Sequence, residues 1–327
     1  MTDQTGKIQE KKPVTKKILS MALMAVMVAL LCGYVYQNRA DMGKLLALDG
    51  KTVALLLGFA LGGCVMNCVY HRILLSVYGV KLSLTDWMGV VFVANAIAYV
   101  LPLRADLIFS ATYYKRAKGL AYVKSVSMAA GNIVFGVSFA LLQVLAALVC
   151  TGVLEGVWSL TLWLVWAAGA AAVAAFLVLA LALRDHPPKL VKKIPLLEKV
   201  ILGFNELLRN RKMLLQLLGC LIVNNVFQLL LYRVCFQAMG LSVTVYQALF
   251  YSSVSWLATI LTVVPGNLGI KEAVMGLATA LMGALFQNGV AVSLLQRVAV
   301  MAVYMIMGLA FAWPVWRNWN RGKVVDE

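Results

Sequence analysis

The chain has 327 residues, of which 62% are hydrophobic and only 13% charged. Soluble domains carry roughly 45–50% apolar and about 25% charged residues. A soluble enzyme, a nucleic-acid-binding domain and a secreted disulfide scaffold are therefore excluded, and a polytopic helical membrane protein remains. The net charge of +16 reads as lysine and arginine held on the cytoplasmic side rather than as a nucleic-acid footprint.

Residues 1–17 form a basic tail with Lys7, Lys11, Lys12, Lys16 and Lys17. A first apolar span is predicted over 18–36. No small-residue cleavage site follows it, so it reads as an uncleaved span. The second span is predicted over 52–77. Residues 84–101 are apolar and stop at Pro102, where Leu103-Arg104-Ala105-Asp106 follows. A short apolar stretch, 107–114, returns to the basic cluster Lys115-Arg116-Ala117-Lys118. Long spans follow at 120–150 and 157–183. The polar stretch 184–212 sets Leu196, Leu197, Val200, Ile201, Phe204, Leu207 and Leu208 on one helical face. That pattern predicts an amphipathic linker helix on an anionic membrane surface, or else a solvated connector. Spans at 213–239 and 290–316 complete the second half. Between them, 246–264 ends in Pro265-Gly266-Asn267-Leu268-Gly269-Ile270-Lys271-Glu272, and a further apolar segment, 273–286, follows. Residues 318–327 form a second tail.

The halves share a layout. Arg72 stands before Gly79 as Arg233 stands before Gly240. In each half a short loop, an apolar segment, a proline-led break, a second apolar segment and one long span then follow. Gly- and Pro-broken backbone at membrane depth is tolerated only against protein or a water-filled cavity. Each half, 18–183 and 213–317, is thus expected to hold a re-entrant hairpin, near 84–114 and near 246–286. With both termini cytoplasmic, most of the 29 lysines and arginines face the cytoplasm, and only Arg39, Lys44 and Lys51 face outward. The hairpins then enter from opposite sides. The predicted fold class is all-α, with inverted repeats each carrying a broken helical hairpin, a layout of many transporters.

The chemistry is expected at the breaks. Ionisable groups at membrane depth cost about 2.5–3.5 kcal/mol on insertion scales, so they carry a partner or a function. Arg104 and Asp106 lie at the first break; Asn267, Lys271 and Glu272 lie at the second. Broken helices also aim backbone N–H groups and positive dipole ends at anions. The alternative is that Arg104 with Asp106, and Lys271 with Glu272, only neutralise each other. Arg297, two turns into the last span, is expected to face a cavity or a carboxylate. Asn224 and Asn225, with Gln228, are the densest uncharged polar set and join the candidate substrate-binding residues, although interhelical hydrogen bonding also explains them. The six cysteines, with His71 and His186, form no metal-ligand pattern. Zincin, serine-nucleophile, Walker and dinucleotide motifs are missing, so no catalytic residue, metal or cofactor is expected.

Pro102-Leu103-Arg104, followed by Lys115-Arg116 and Gly119-Leu120, resembles the first signature of the lysylphosphatidylglycerol synthase transmembrane-region family, also called the flippase-like family of bacterial membrane proteins. Pro265-Gly266-Asn267-Leu268-Gly269-Ile270-Lys271-Glu272 resembles its second signature, Pro-Gly-Gly-Leu-Gly-x-Arg-Glu, more closely. The resemblance implies a multi-pass protein of the bacterial inner membrane concerned with lipid metabolism and antibiotic resistance. Its expected role is to flip an anionic or aminoacylated phospholipid, such as lysylphosphatidylglycerol, with membrane phospholipid as partner and no nucleic acid. Two other expectations accompany it. One is phosphatidylglycerol lysyltransferase activity, although the soluble transferase domain is expected to be absent here and an enzyme is not the leading reading. The other is a non-transporting partner of a separately encoded lipid-modifying enzyme, such as a synthase or glycosyltransferase. Many members continue the first signature with Gly-Glu, where this chain has Asp106-Leu107.

Overall fold

The computed structural model describes residues 48–76, 79, 82–101, 104–182, 210–261 and 267–321. The expected span at 18–36, the linker helix expected over 184–212 as far as residue 209, the N-terminal tail, the tips at 102–103 and 262–266 and the end of the C-terminal tail lie outside the described residues.

The regular structure within the described residues is helical: α1 (Gly50–Ser76), α2 (Val90–Val100), α3 (Ala105–Lys118), α4 (Tyr122–Glu155), α5 (Leu160–Ala182), α6 (Arg211–Ala238), α7 (Val245–Ala258), α8 (Ile270–Leu281) and α9 (Phe286–Arg321). A π-turn, Thr85–Gly89, leads into α2, and a 3₁₀ turn, Thr259–Leu261, extends α7. Among the described residues, five helices are long and apolar enough to cross a membrane: α1, α4, α5, α6 and α9. The molecule is an all-α, multi-pass membrane protein. Polar signals set several helix ends. Asn210 accepts a hydrogen bond from the Met213 N–H at the start of α6. Thr244 and Gln247 cap α7 reciprocally. Gly119 and Gly156 end α3 and α4 in the left-handed conformation. Just before α1, Asp49 is exposed and held below its ordinary pKa by the hydrogen bond from Thr52.

Several elements run further than their expected limits. α3 continues through the basic cluster to Lys118, α4 reaches Glu155, and α9 starts at Phe286 and ends at Arg321. The basic residues of 115–118 therefore cap a helix instead of following one, which suits cations at a helix C-terminus. The break after α2 also has a local cause. Leu101, the residue before Pro102, is extended (φ −107°, ψ 141°), the conformation that a following proline imposes.

The four short helices are about 17–21 Å long at 1.5 Å per residue, too short for a hydrocarbon layer of about 30 Å. They form two hairpins, α2–α3 and α7–α8. Asp86 and Lys118 meet at 2.6 Å, so the mouth of the first hairpin is closed on itself. α4 then starts beside that mouth, with Lys115 lying over the Tyr122 ring. With 34 residues, α4 extends about 51 Å. At its far end Glu155 accepts a hydrogen bond from Gln247, in the first turn of α7. The two mouths thus lie at opposite ends of α4. α9 runs the other way. It begins beside α8, where the Phe286 ring covers Gly276, and ends with Trp319 stacked on Phe109 of α3.

Packing crosses between the halves. α1 lies along α6, α4 lies against α7, and α9 lies against α2. Exchanging the halves maps the last two contacts onto each other. The exchange is incomplete, since α9 also packs on α1 while α4 lacks a comparable contact with α6. Trp256 fits over Gly136 where α7 meets α4, and Gly308 lets α9 approach the Phe92 carbonyl of α2.

Candidate functional site

The site grows from the second break. Asn267 has a positive φ of 57°, and Gly269, one residue before α8, has φ 83°. Asn tolerates the left-handed region better than most residues, and Gly is free in it. The turn brings Glu272 back under its own helix start, where its carboxylate accepts from the Gly269 N–H at 2.7 Å. The Asn267 side chain donates to the Ala258 carbonyl at 2.7 Å and so ties the start of α8 to the end of α7.

Arg297 of α9 meets this turn. Its Nε donates to Glu272 Oε1 at 2.8 Å and its Nη2 to Oε2 at 3.0 Å. This is the two-pronged geometry that makes an arginine–carboxylate pair strong. The same Nη2 donates to the Asn267 carbonyl at 3.0 Å. Ser293 adds a longer contact to Glu272 at 3.4 Å. Asn267, Lys271, Glu272 and Arg297 are exposed by only 4%, 9%, 2% and 6%. Burial this complete removes water as a partner, so each charge must be met by protein or ligand.

Lys271 is not met by its neighbour. Its ammonium donates to Gln296 on α9, and Gln296 in turn donates to Gln228 on α6 at 3.5 Å. The expected alternative, with Lys271 and Glu272 neutralising each other, is therefore corrected. Consecutive helical residues do not face each other, and the carboxylate is taken by Arg297. Among the described residues, the basic side chains of Lys271 and Arg297 are buried together with one carboxylate, that of Glu272. The Asn267 side-chain oxygen is buried and has no hydrogen-bond partner among the described residues.

The other candidates sit elsewhere. Arg104 precedes α3 with φ 56°, and Asp106 lies half-buried in the first turn of α3. Asn224 and Asn225 point apart. The Asn224 oxygen lies beside Gly63 of α1, while Asn225 accepts from Ser252 of α7 at 3.3 Å. The structure thus gathers Asn267, Lys271, Glu272 and Arg297, with Gln296 and Gln228, into one centre. It sets Asn225 at a helix contact and Arg104 and Asp106 at the first break. The two breaks approach the same stretch of α9. Tyr99, near the end of α2, lies 6.3 Å from Tyr304 between ring centroids, and Tyr304 is two turns from Arg297. Asn67 of α1 donates to the Tyr304 hydroxyl at 3.1 Å. Among the described residues, no group of His, Cys, Asp and Glu could hold a metal ion.

Sequence reasoning missed Asp86, which sits unmarked at the start of an apolar run. It is 1% exposed. Ser83 donates to it from its N–H and hydroxyl, Tyr113 donates at 2.7 Å, and Lys118 pairs with it. Tyr114 donates to its backbone carbonyl at 3.0 Å. Its lone acidic letter among apolar ones was the available signal.

No curated protein matches the chain. The family described as the lysylphosphatidylglycerol synthase TM region matches residues 17–308, which points to a membrane role in the metabolism of lysylphosphatidylglycerol. The signature that this stretch resembles has glycine where this chain has Asn267, and a positive φ suits either residue. With the match covering most of the sequence, the chain belongs to the lysylphosphatidylglycerol synthase transmembrane-region family.

Proposed function

We propose that the chain moves an anionic or aminoacylated phospholipid, such as lysylphosphatidylglycerol, between the leaflets of the bacterial inner membrane, with both termini cytoplasmic. One observation carries this reading: Lys271 and Arg297 are buried together with the single carboxylate of Glu272, beside the start of a helix broken within the membrane. A phosphate group suits two buried basic side chains and the dipole of α8. When the phosphate engages Arg297, Glu272 is released to face a cationic lysyl ammonium. The first half contributes Arg104 and Asp106 at the corresponding break. The opposed mouths and the exchanged packing of α4 with α7 and α9 with α2 support inverted repeats, whose broken helices alternately open a central site to each side.

The test is lipid translocation in proteoliposomes, comparing labelled lysylphosphatidylglycerol, phosphatidylglycerol and a polyprenyl phosphate. One of them is expected to move, and Lys271→Ala is expected to slow it about tenfold, the scale of one lost charge-assisted hydrogen bond. If none moves, or if Lys271→Ala moves it at the parent rate, the reading is wrong.

A further inference from the structure

A groove of about 600 Å³ lies between the first hairpin and the last three to four turns of α9. Its walls include Val93 of α2, Phe109 of α3, and Leu309, Trp313, Trp316 and Trp319 of α9. The volume falls within the roughly 300–1,000 Å³ typical of ligand sites. The groove is apolar and open to the side. Leu309, Trp313 and Trp316 are exposed by 77%, 71% and 59%, so in a bilayer they face hydrocarbon. Three tryptophans spaced along one helix end mark the depth where acyl chains give way to headgroups.

Charge crowds the outer end of the same groove. Phe109, Tyr113 and Arg116 follow one another on one face of α3, and all three meet Trp319. The Arg116 guanidinium lies 6.0 Å from the Trp319 ring centre. Arg317 and Arg321, at the same end of α9, are exposed. Lys118 is engaged by Asp86. Among the described residues no carboxylate pairs with Arg116, Arg317 or Arg321. An apolar channel thus ends beside Arg116, which is held over an aromatic ring.

We infer that this groove is a binding site for an anionic phospholipid, with an acyl chain lying between Phe109 and Trp316 and the phosphate held at Arg116. The occupant is a single lipid of the surrounding leaflet. Charge complementarity at Arg116 selects it over a neutral lipid. The site lies about 28 Å along α9 from Arg297. It stands whether or not the buried centre carries a lipid across.

The test uses the full chain in nanodiscs with phosphatidylglycerol that bears a diazirine on one acyl chain, and phosphatidylcholine with the same chain. After irradiation, label is mapped by peptide. Label is expected on the peptides of Phe109 and of residues 309–319, favouring phosphatidylglycerol about fivefold, the factor one basic residue supplies near an anionic surface. The preference is expected to fall as salt rises. Arg116→Gln is expected to remove the preference and leave the acyl label. Ala312→Trp, which fills an exposed wall of the groove, is expected to remove the label on monodisperse protein. Equal labelling by both lipids, or label spread evenly over the lipid-facing helices, overturns the proposal. Label that falls with Lys271→Ala but not with Arg116→Gln assigns the lipid to the buried centre and also overturns it. An unlabelled groove in a chain that runs as a dimer gives the face to a second copy, with the same consequence.

Discussion

Glu272 shows how much one side chain is asked to do. It accepts from its own helix start, from both prongs of Arg297 and, at longer range, from Ser293. Removing its charge strands Arg297 in a dry interior. Breaking a buried pair from one side costs about 3–5 kcal/mol. Glu272→Gln is therefore expected to lower the thermal midpoint in detergent sharply. Adding Arg297→Met is expected to restore part of the loss, because the orphaned charge is then gone. Additive losses in the double variant would show that the pair is not coupled. The sequence made the charged letters legible but not their partners. Glu272 and Arg297 are 25 positions apart and on different helices, and nothing in a linear pattern joins them. The break itself was legible, because Pro265, Gly266 and Gly269 stand within a few residues. The left-handed Asn267 was not, since Asn is common in ordinary turns as well.

At the scale of elements, the first hairpin is held by its base. Asp86 joins the π-turn ahead of α2 to Tyr113 and Lys118 at the end of α3. Its loss leaves the Tyr113 hydroxyl buried without its acceptor, a cost of about 1–3 kcal/mol. Asp86→Ala is expected to speed amide hydrogen exchange through residues 105–118 while α6 and α9 keep their protection. Unchanged exchange in α3 would mean that packing alone closes the hairpin. Helix existence and order were legible in the hydropathy, because a span needs an unbroken apolar run. The ends were less so. The apolar stretch was expected to end at 114, before the basic cluster, yet the helix continues to Lys118 because cations suit its C-terminus and Gly119 supplies the stop. The 25-position reach of the buried ion pair and the 32-position reach of the hairpin latch share one cause. Both are set by which helices pack, and packing partners are not written in the period of a single helix.

At the scale of the molecule, the two hairpins open at opposite ends of α4. Exposed positions near the mouths report this directly. Ala121 lies just before α4 at the first mouth and Ala284 lies just after α8 at the second, and both are exposed. Ala121→Cys and Ala284→Cys are expected to react with an impermeant thiol reagent from opposite faces of sealed vesicles, above the background of the native cysteines. Labelling of both from one face would contradict opposed entry. The charge asymmetry of the loops is the sequence's argument for opposed entry, since basic residues cluster on one set of connections. The near-exchange of α4–α7 with α9–α2 contacts was legible only as similar layouts. The departures from that exchange, including the α9–α1 contact, depend on side-chain volumes that a layout does not record.

The length of α4 and α9 makes the bilayer a working part of this architecture. Helices of 34 and 36 residues overshoot the apolar layer, and a mismatch of that sign is relieved by leaning. Both hairpins ride on these two helices. Any change in lean slides the mouths and the breaks against the lipid in which they sit. Membrane thickness then acts as a ruler laid beside the buried charges: a thin leaflet and a thick one present the same residues at different depths, and the same sequence at a different distance from water.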